Sequence, residues 1–237
     1  MECKNCNKHI GVGHNYCPSC GQKSDIDRLN FRQLLNVLWT AFSNADRGIL
    51  LLVKQLTYKP GLVSRDYVYG KRKLNFNPFN YLALMVAIAF YCILQFEKVS
   101  IDYSQIAPEN IDLLRFSFKY FNIIILLTCP IYGVLIWLLF KNNQMNFAEC
   151  LVLSAYISGH TMFYYIIVIL IFILFPSFMN VMGVIFGFLI NFWIVMAILQ
   201  FYRTRSLWNI FKALLVVIIV QIISQILLLN TFQFIKH

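Results

Sequence analysis

From Pro78 onward the chain consists of long apolar runs broken by short polar segments; before it the apolar runs are short and charges recur within them. A helix needs roughly 20 apolar residues to cross a hydrocarbon core about 30 Å thick. Five runs reach that length, at about Pro78–Phe96, Lys119–Phe140, Cys150–Phe175, Asn180–Tyr202 and Asn209–Phe234. Asn77-Pro78 predicts the start of the first, with asparagine as cap and proline in a turn where its missing N–H costs nothing. The 97–118 segment is predicted to be the longest loop, carrying Glu97, Asp102, Glu109 and Asp112. Pro176-Ser177 predicts a very short turn between two antiparallel helices, or a kink in one longer irregular span.

Upstream, the apolar positions change their pattern. Phe31, Leu34, Leu35, Leu38 and Phe42 in "NFRQLLNVLWTAF" recur at helical spacing, and Asn30 and Gln33 have the spacing of a capping box. "GILLLVKQL" is too short to cross, and Lys59-Pro60-Gly61 ends it, proline by withholding an amide and glycine by supplying a flexible turn. "LVSRDYVYGKRK" predicts one more short helix, stopped at Gly70. Residues 26–76 therefore read as amphipathic helices lying on the cytoplasmic surface of a bilayer.

Composition agrees: 59% of the 237 residues are hydrophobic and 13% are charged, which exceeds the apolar share of an ordinary soluble domain. Basic residues set the orientation. With the N-terminus inside, sixteen Lys and Arg fall on the cytoplasmic side and four (Lys98, Arg115, Lys119 and Lys236) outside. No cleavable signal is expected before the head, since the first long apolar run begins only near Pro78. The head is therefore expected in a reducing cytosol, where paired cysteines read as a metal site rather than as disulfides.

Cys3, Cys6, Cys17 and Cys20 form C-x2-C-x10-C-x2-C, a spacing that places two thiolates on each of two tight turns and completes a tetrahedron around Zn²⁺. Gly21, after the second pair, tolerates the left-handed backbone that points amides at sulfur. Four thiolates fill the coordination shell, so the site is expected to be structural. His9 and His14 lie between the pairs and could replace a cysteine, and iron would use the same ligands. The fold predicted is all-α and polytopic, with about five transmembrane helices over 77–237, a zinc ribbon over 1–25 and interfacial helices between them.

The four cysteines, Pro60, Gly61, Arg65, Tyr67, Gly70, Lys71, Arg72, Pro78 and Tyr81 carry a resemblance. Over residues 1–82 the chain resembles an uncharacterised family of bacterial membrane proteins with an N-terminal zinc ribbon, grouped as a domain of unknown function. The resemblance implies this architecture and a place in a bacterial inner membrane; no activity comes with it. Lys71, Arg72 and Lys73 precede the first span and, with Arg65, are candidate contacts for anionic headgroups, although such clusters also simply fix topology. No stacking module or recognition helix surrounds them, so nucleic acid is not expected as a partner.

Within the spans, His160 is the candidate ionisable site, while neutral histidine can also satisfy itself against a carbonyl or Thr161. Gly183 and Gly187 lie one turn apart with Asn191 continuing their face, and Gln221, Ser224 and Gln225 form a polar stripe in the last span. Both features suit helix packing, including oligomerisation through Gly183 and Gly187; lining for a polar substrate is the alternative. The chain contains no HExxH, GxSxG or phosphate-cradling glycine loop. The function expected is non-enzymatic, a zinc-ribbon head recruiting or sensing a cytosolic protein partner while the spans hold it among membrane lipids. The alternative is a transporter or lipid-handling protein with a polar cavity near His160 and Asn191.

The basic-residue asymmetry and an odd number of spans predict that a reporter fused after His237 lies on the face opposite the cysteines. A reporter active on the cysteine side would require an even number of crossings.

Overall fold

Short polar signals punctuate seven helices among the described residues, and five of the seven are long and apolar enough to cross a membrane. The computed structural model of the chain describes residues 1–11, 13–24, 49–72, 75–100, 108–141, 145–175 and 179–236. In chain order the helices are α1 Ile49–Tyr58, α2 Pro60–Val68, α3 Pro78–Ser100, α4 Pro108–Leu139, α5 Phe147–Leu174, α6 Met179–Tyr202 and α7 Leu207–Lys236. The amphipathic pattern over Phe31–Phe42, the capping pair Asn30 and Gln33, Lys73 and the Pro176-Ser177 turn lie outside the described residues.

Two helix starts show how the boundaries arise. At α3, Asn77 Oδ1 accepts the Phe79 amide at 2.9 Å, so the predicted Asn-Pro start forms as a side-chain cap. At α5, Asn146 Oδ1 accepts the Glu149 amide and Glu149 Oε2 accepts the Asn146 amide, both at 2.8 Å. This capping box places Glu149 at the positive end of the helix dipole, and Glu149 is buried rather than reaching water. The second span starts earlier than its apolar run. α4 begins at Pro108 and takes up half of the expected 97–118 loop, because proline and acidic residues favour a helix N-terminus even where charge ends the apolar window.

Helix α5 is the hub of the bundle. It contacts α1, α2, α3, α4 and α6, and residues 148–150 and 152–160 are buried on every face. Its most extensive interface is with α3, where a Cβ at Gly159 would fall 2.8 Å from Tyr81 Cδ1 and 3.1 Å from the Leu82 Cα. Close approach of this kind matters in lipid, where helices associate through packing rather than through release of water. The outer faces behave as lipid-facing surface: Val181, Val184, Phe188 and Phe192 of α6 are all exposed.

The short helices α1 and α2 join this core. Leu52, Leu56, Val63, Tyr67 and Val68 are buried in the same apolar cluster as the five spans. Pro60 and Gly61 open α2, and a Cβ at Gly61 would fall on the Ala197 carbonyl and the Phe201 amide of α6. Gly61 therefore serves close helix crossing, a role distinct from the flexible turn its sequence context suggests. From that crossing α2 reaches α5, where the Tyr67 and Tyr156 rings meet edge to face with centroids 6.0 Å apart.

Gly61→Ala is expected to force α2 from α6 and lower the melting temperature of the detergent-solubilised protein, at a cost of roughly 1–3 kcal/mol for overpacking. Gly187→Ala, where an added Cβ meets nothing within 4 Å, is the control and should leave stability unchanged or slightly raised.

Candidate metal centre and the buried His160

The N-terminal segment builds one turn twice. Cys3 N donates to Lys8 O at 3.0 Å and Asn7 N to Cys3 O at 2.9 Å; fourteen residues on, Cys17 N donates to Gln22 O at 2.7 Å and Gly21 N to Cys17 O at 2.8 Å. Single bridges Glu2–His9 and Tyr16–Lys23 close the two loops in the same register. The residue after each second cysteine is left-handed, Asn7 at φ 59° and Gly21 at φ 68°. Glycine and asparagine are the residues that enter that region most readily, which explains both choices.

The two turns face each other across their sulfurs. Cys3 Sγ lies 3.6 Å from Cys20 Sγ and Cys6 Sγ lies 3.7 Å from Cys17 Sγ, and all four sulfurs lie within 4.8 Å of one another. A tetrahedron with metal–sulfur bonds of about 2.3 Å has edges of about 3.8 Å, so the donor set fits one tetrahedral ion. His9 and His14 are exposed and stand outside the cluster. Ile10 is buried beneath it with Cys3 and Cys17, the whole apolar core of the segment among the described residues.

Electrostatics suit the cluster to a cation. The Cys6 amide, opposed by burial and aided by the Asn5 amide, draws the Cys3 thiol down to about 6. Burial opposes the Cys17 thiolate, yet the amides of Ser19 and Cys20 hold that thiol below its ordinary value. For Cys6 the Lys8 amide favours the thiolate, but burial and the sulfurs of Cys20, Cys17 and Cys3 push it up to about 11. Four thiolates this close repel one another until a positive ion sits among them.

A hydrogen bond fastens this unit to the helices. Gln22 Nε2 donates to the Gly70 carbonyl at 2.6 Å, and both residues are buried. Gly70 is the left-handed residue that ends α2, at φ 105°, with its own N–H on Tyr67 O and the following Lys71 N–H on Asp66 O.

His160 occupies the opposite kind of site, dry and fully enclosed. It sits 13 residues into α5, roughly 20 Å along the helix from Phe147. Tyr81 Oη lies 2.8 Å from Nδ1 and Thr57 Oγ1 lies 3.2 Å from Nε2. Thr57 donates its own proton to Val53 O at 2.9 Å. Nε2–H must then donate to Thr57, while Nδ1 accepts from Tyr81. Phe163 and Trp193 cover the ring, and Trp193 Nε1 donates at 3.2 Å to the carbonyls of both Leu56 and Thr57, capping the end of α1. His160 thus joins α1, α3 and α5 through continuous side-chain packing.

The remaining sequence candidates fall elsewhere. Arg65 Nη1 donates to Phe201 O at 2.8 Å at the end of α6, and its guanidinium stacks 4.9 Å from the Tyr69 centroid. Lys71 pairs with Asp66 at 3.1 Å, and Arg72 Nε reaches Tyr67 O at 3.5 Å. Asn191 Oδ1 accepts from Gln221 Nε2 at 2.8 Å, tying α6 to α7, while Gln225 is exposed one turn farther along. Gly187 is open and Gly183 meets only Phe172 Cζ at 3.8 Å, so neither glycine seats a helix of the same chain among the described residues.

Comparison with known families now has a structure to refer to. Residues 46–90 match the family described as Protein of unknown function (DUF3667). The DUF3667 match covers α1, α2 and the first half of α3, and so contains Thr57, Gly61, Arg65, Gly70 and Tyr81; the cysteine unit lies outside it. No curated protein and no solved structure matches the chain. Sequence reasoning passed over Asn7, Gln22 and the capping role of Glu149, although "NFAE" at the start of α5 carries a legible capping-box spacing.

Metal uptake near pH 7 must displace the proton that the high Cys6 value retains, so titrating metal into the stripped protein should release acid. The sign follows: the site holds its ion at neutral and higher pH and loses it as falling pH protonates the thiolates. Cys17→Ser should remove the ion at pH 7, measured as less than one metal per chain by elemental analysis.

Proposed function

We propose that the protein is a membrane-embedded adaptor whose zinc-bearing head is presented on the cytoplasmic face of a bacterial inner membrane to a protein partner. The observation that carries the reading is the Gln22–Gly70 bond, which joins the cysteine unit to α2 and hence to the bundle. A head on a free tether would need no such anchor. Zinc is the ion proposed, because it favours a closed tetrahedral shell of four sulfurs and such a shell has no position for a catalytic water. The exposed surface of the head, including Tyr16, is then left for docking.

The enclosed His160 supports the same choice over transport. A relay or substrate group has to meet water or a ligand, and both nitrogens of this ring are engaged by Tyr81 and Thr57.

The test places a photocrosslinking amino acid at Tyr16 in the full-length protein in intact cells. A soluble protein should crosslink there, at least fivefold less in Cys17→Ser and in Gln22→Ala, and the purified chain should carry one zinc. Crosslinks only to lipid or to the chain's own helices would overturn the adaptor reading, and iron in place of zinc would overturn the metal assignment.

A further inference from the structure

Helices α6 and α7 diverge beside the α1–α2 corner and leave an open groove of about 1570 Å³. That exceeds the roughly 300–1,000 Å³ of ordinary small-molecule sites. Its two ends differ in chemistry. Lys59, Arg203 and Arg205 stand at one end, and the lining includes no carboxylate among the described residues. Phe188, Phe192, Leu214 and Ile218 form apolar walls, and the Asn191–Gln221 hydrogen bond spans the far end. Along α7 the groove runs from Ile210 to Gln221, eleven residues or roughly 16 Å. That is about half of a hydrocarbon core some 30 Å thick, the depth of one leaflet.

The backbone adds an independent observation. α6 and α2 end on the same six-residue turn. In α6, Thr204 N donates to Leu199 O at 3.1 Å and Arg203 N to Gln200 O at 3.2 Å. In α2 the left-handed position of that turn is Gly70; in α6 it is Arg203, at φ 50°. A side chain there is strained, and glycine is the residue that usually avoids the strain. The turn therefore holds a guanidinium at the groove mouth at the expense of its own geometry.

We infer that this groove binds an anionic phospholipid, its phosphate at Lys59, Arg203 and Arg205 and an acyl chain along the α6–α7 walls. The arginines at the mouth differ from Arg65 and Lys71, which bond to Phe201 O and Asp66. The site is independent of the adaptor reading and stands or falls separately.

Full-length protein in phosphatidylcholine nanodiscs doped with phosphatidylglycerol, released and weighed by native mass spectrometry, tests the assignment. The protein should retain one phosphatidylglycerol in preference to phosphatidylcholine. Arg203→Gly with Arg205→Gln should weaken that preference about 25-fold, at about fivefold per basic residue near a headgroup. Because Arg203→Gly relieves strain, the fold should persist with an unchanged or higher melting temperature. Leu214→Trp should expel the lipid by filling the groove while leaving every charge in place. Equal retention of the two lipids, an unchanged preference in the double variant, or a lipid-free dimer covering the groove would each overturn the proposal.

Discussion

A helix buried on all sides has to satisfy each polar group it carries from its neighbours, and α5 is such a helix over residues 148–160. Its sequence meets that constraint at two points and leaves the Ser158 hydroxyl without a partner. At the N-terminus Glu149 is spent on a reciprocal cap. At Gly159-His160 the missing side chain admits α3 and the next residue binds what arrives, Tyr81 from α3 and Thr57 from α1. The other helices take their places around this contact. A ring without Tyr81 would leave Nδ1 bare in a dry interior, and an orphaned buried polar atom costs about 1–3 kcal/mol.

The five crossings were legible because a bilayer enforces a length rule that depends on no partner. The cysteine unit was legible for a related reason: ligand spacing is a local property of the chain. Long-range roles were hidden. Gly61 beside a proline looks like a turn, and only the α6 backbone packed against it shows that it is a contact. Arg65 stands near a basic run, and nothing local in the sequence points to its partner Phe201, which lies 136 residues away. Charges at 109–119 ended the apolar window, so the extension of α4 to Pro108 fell outside a rule based on hydropathy alone.

The DUF3667 match begins near α1 and ends within α3, and so takes in both short helices packed against the bundle. Helix α2 bridges α6 at Gly61 and α5 at Tyr67 before its last turn meets Gln22. Matched residues are thus the ones that contact both the spans and the cysteine unit. A segment placed this way is structural in its apolar half and connective in its final turn.

The Gln22–Gly70 bond links a side chain to a main-chain carbonyl rather than to another side chain. Every residue type offers that carbonyl, so drift in neighbouring side chains leaves the acceptor intact. Within this bond one position must reach as glutamine does, and the other must turn at φ 105°. The attachment of head to bundle is therefore inexpensive in sequence. The seat of the cysteine unit is thereby set by where a backbone turns and not by which side chain a neighbour carries.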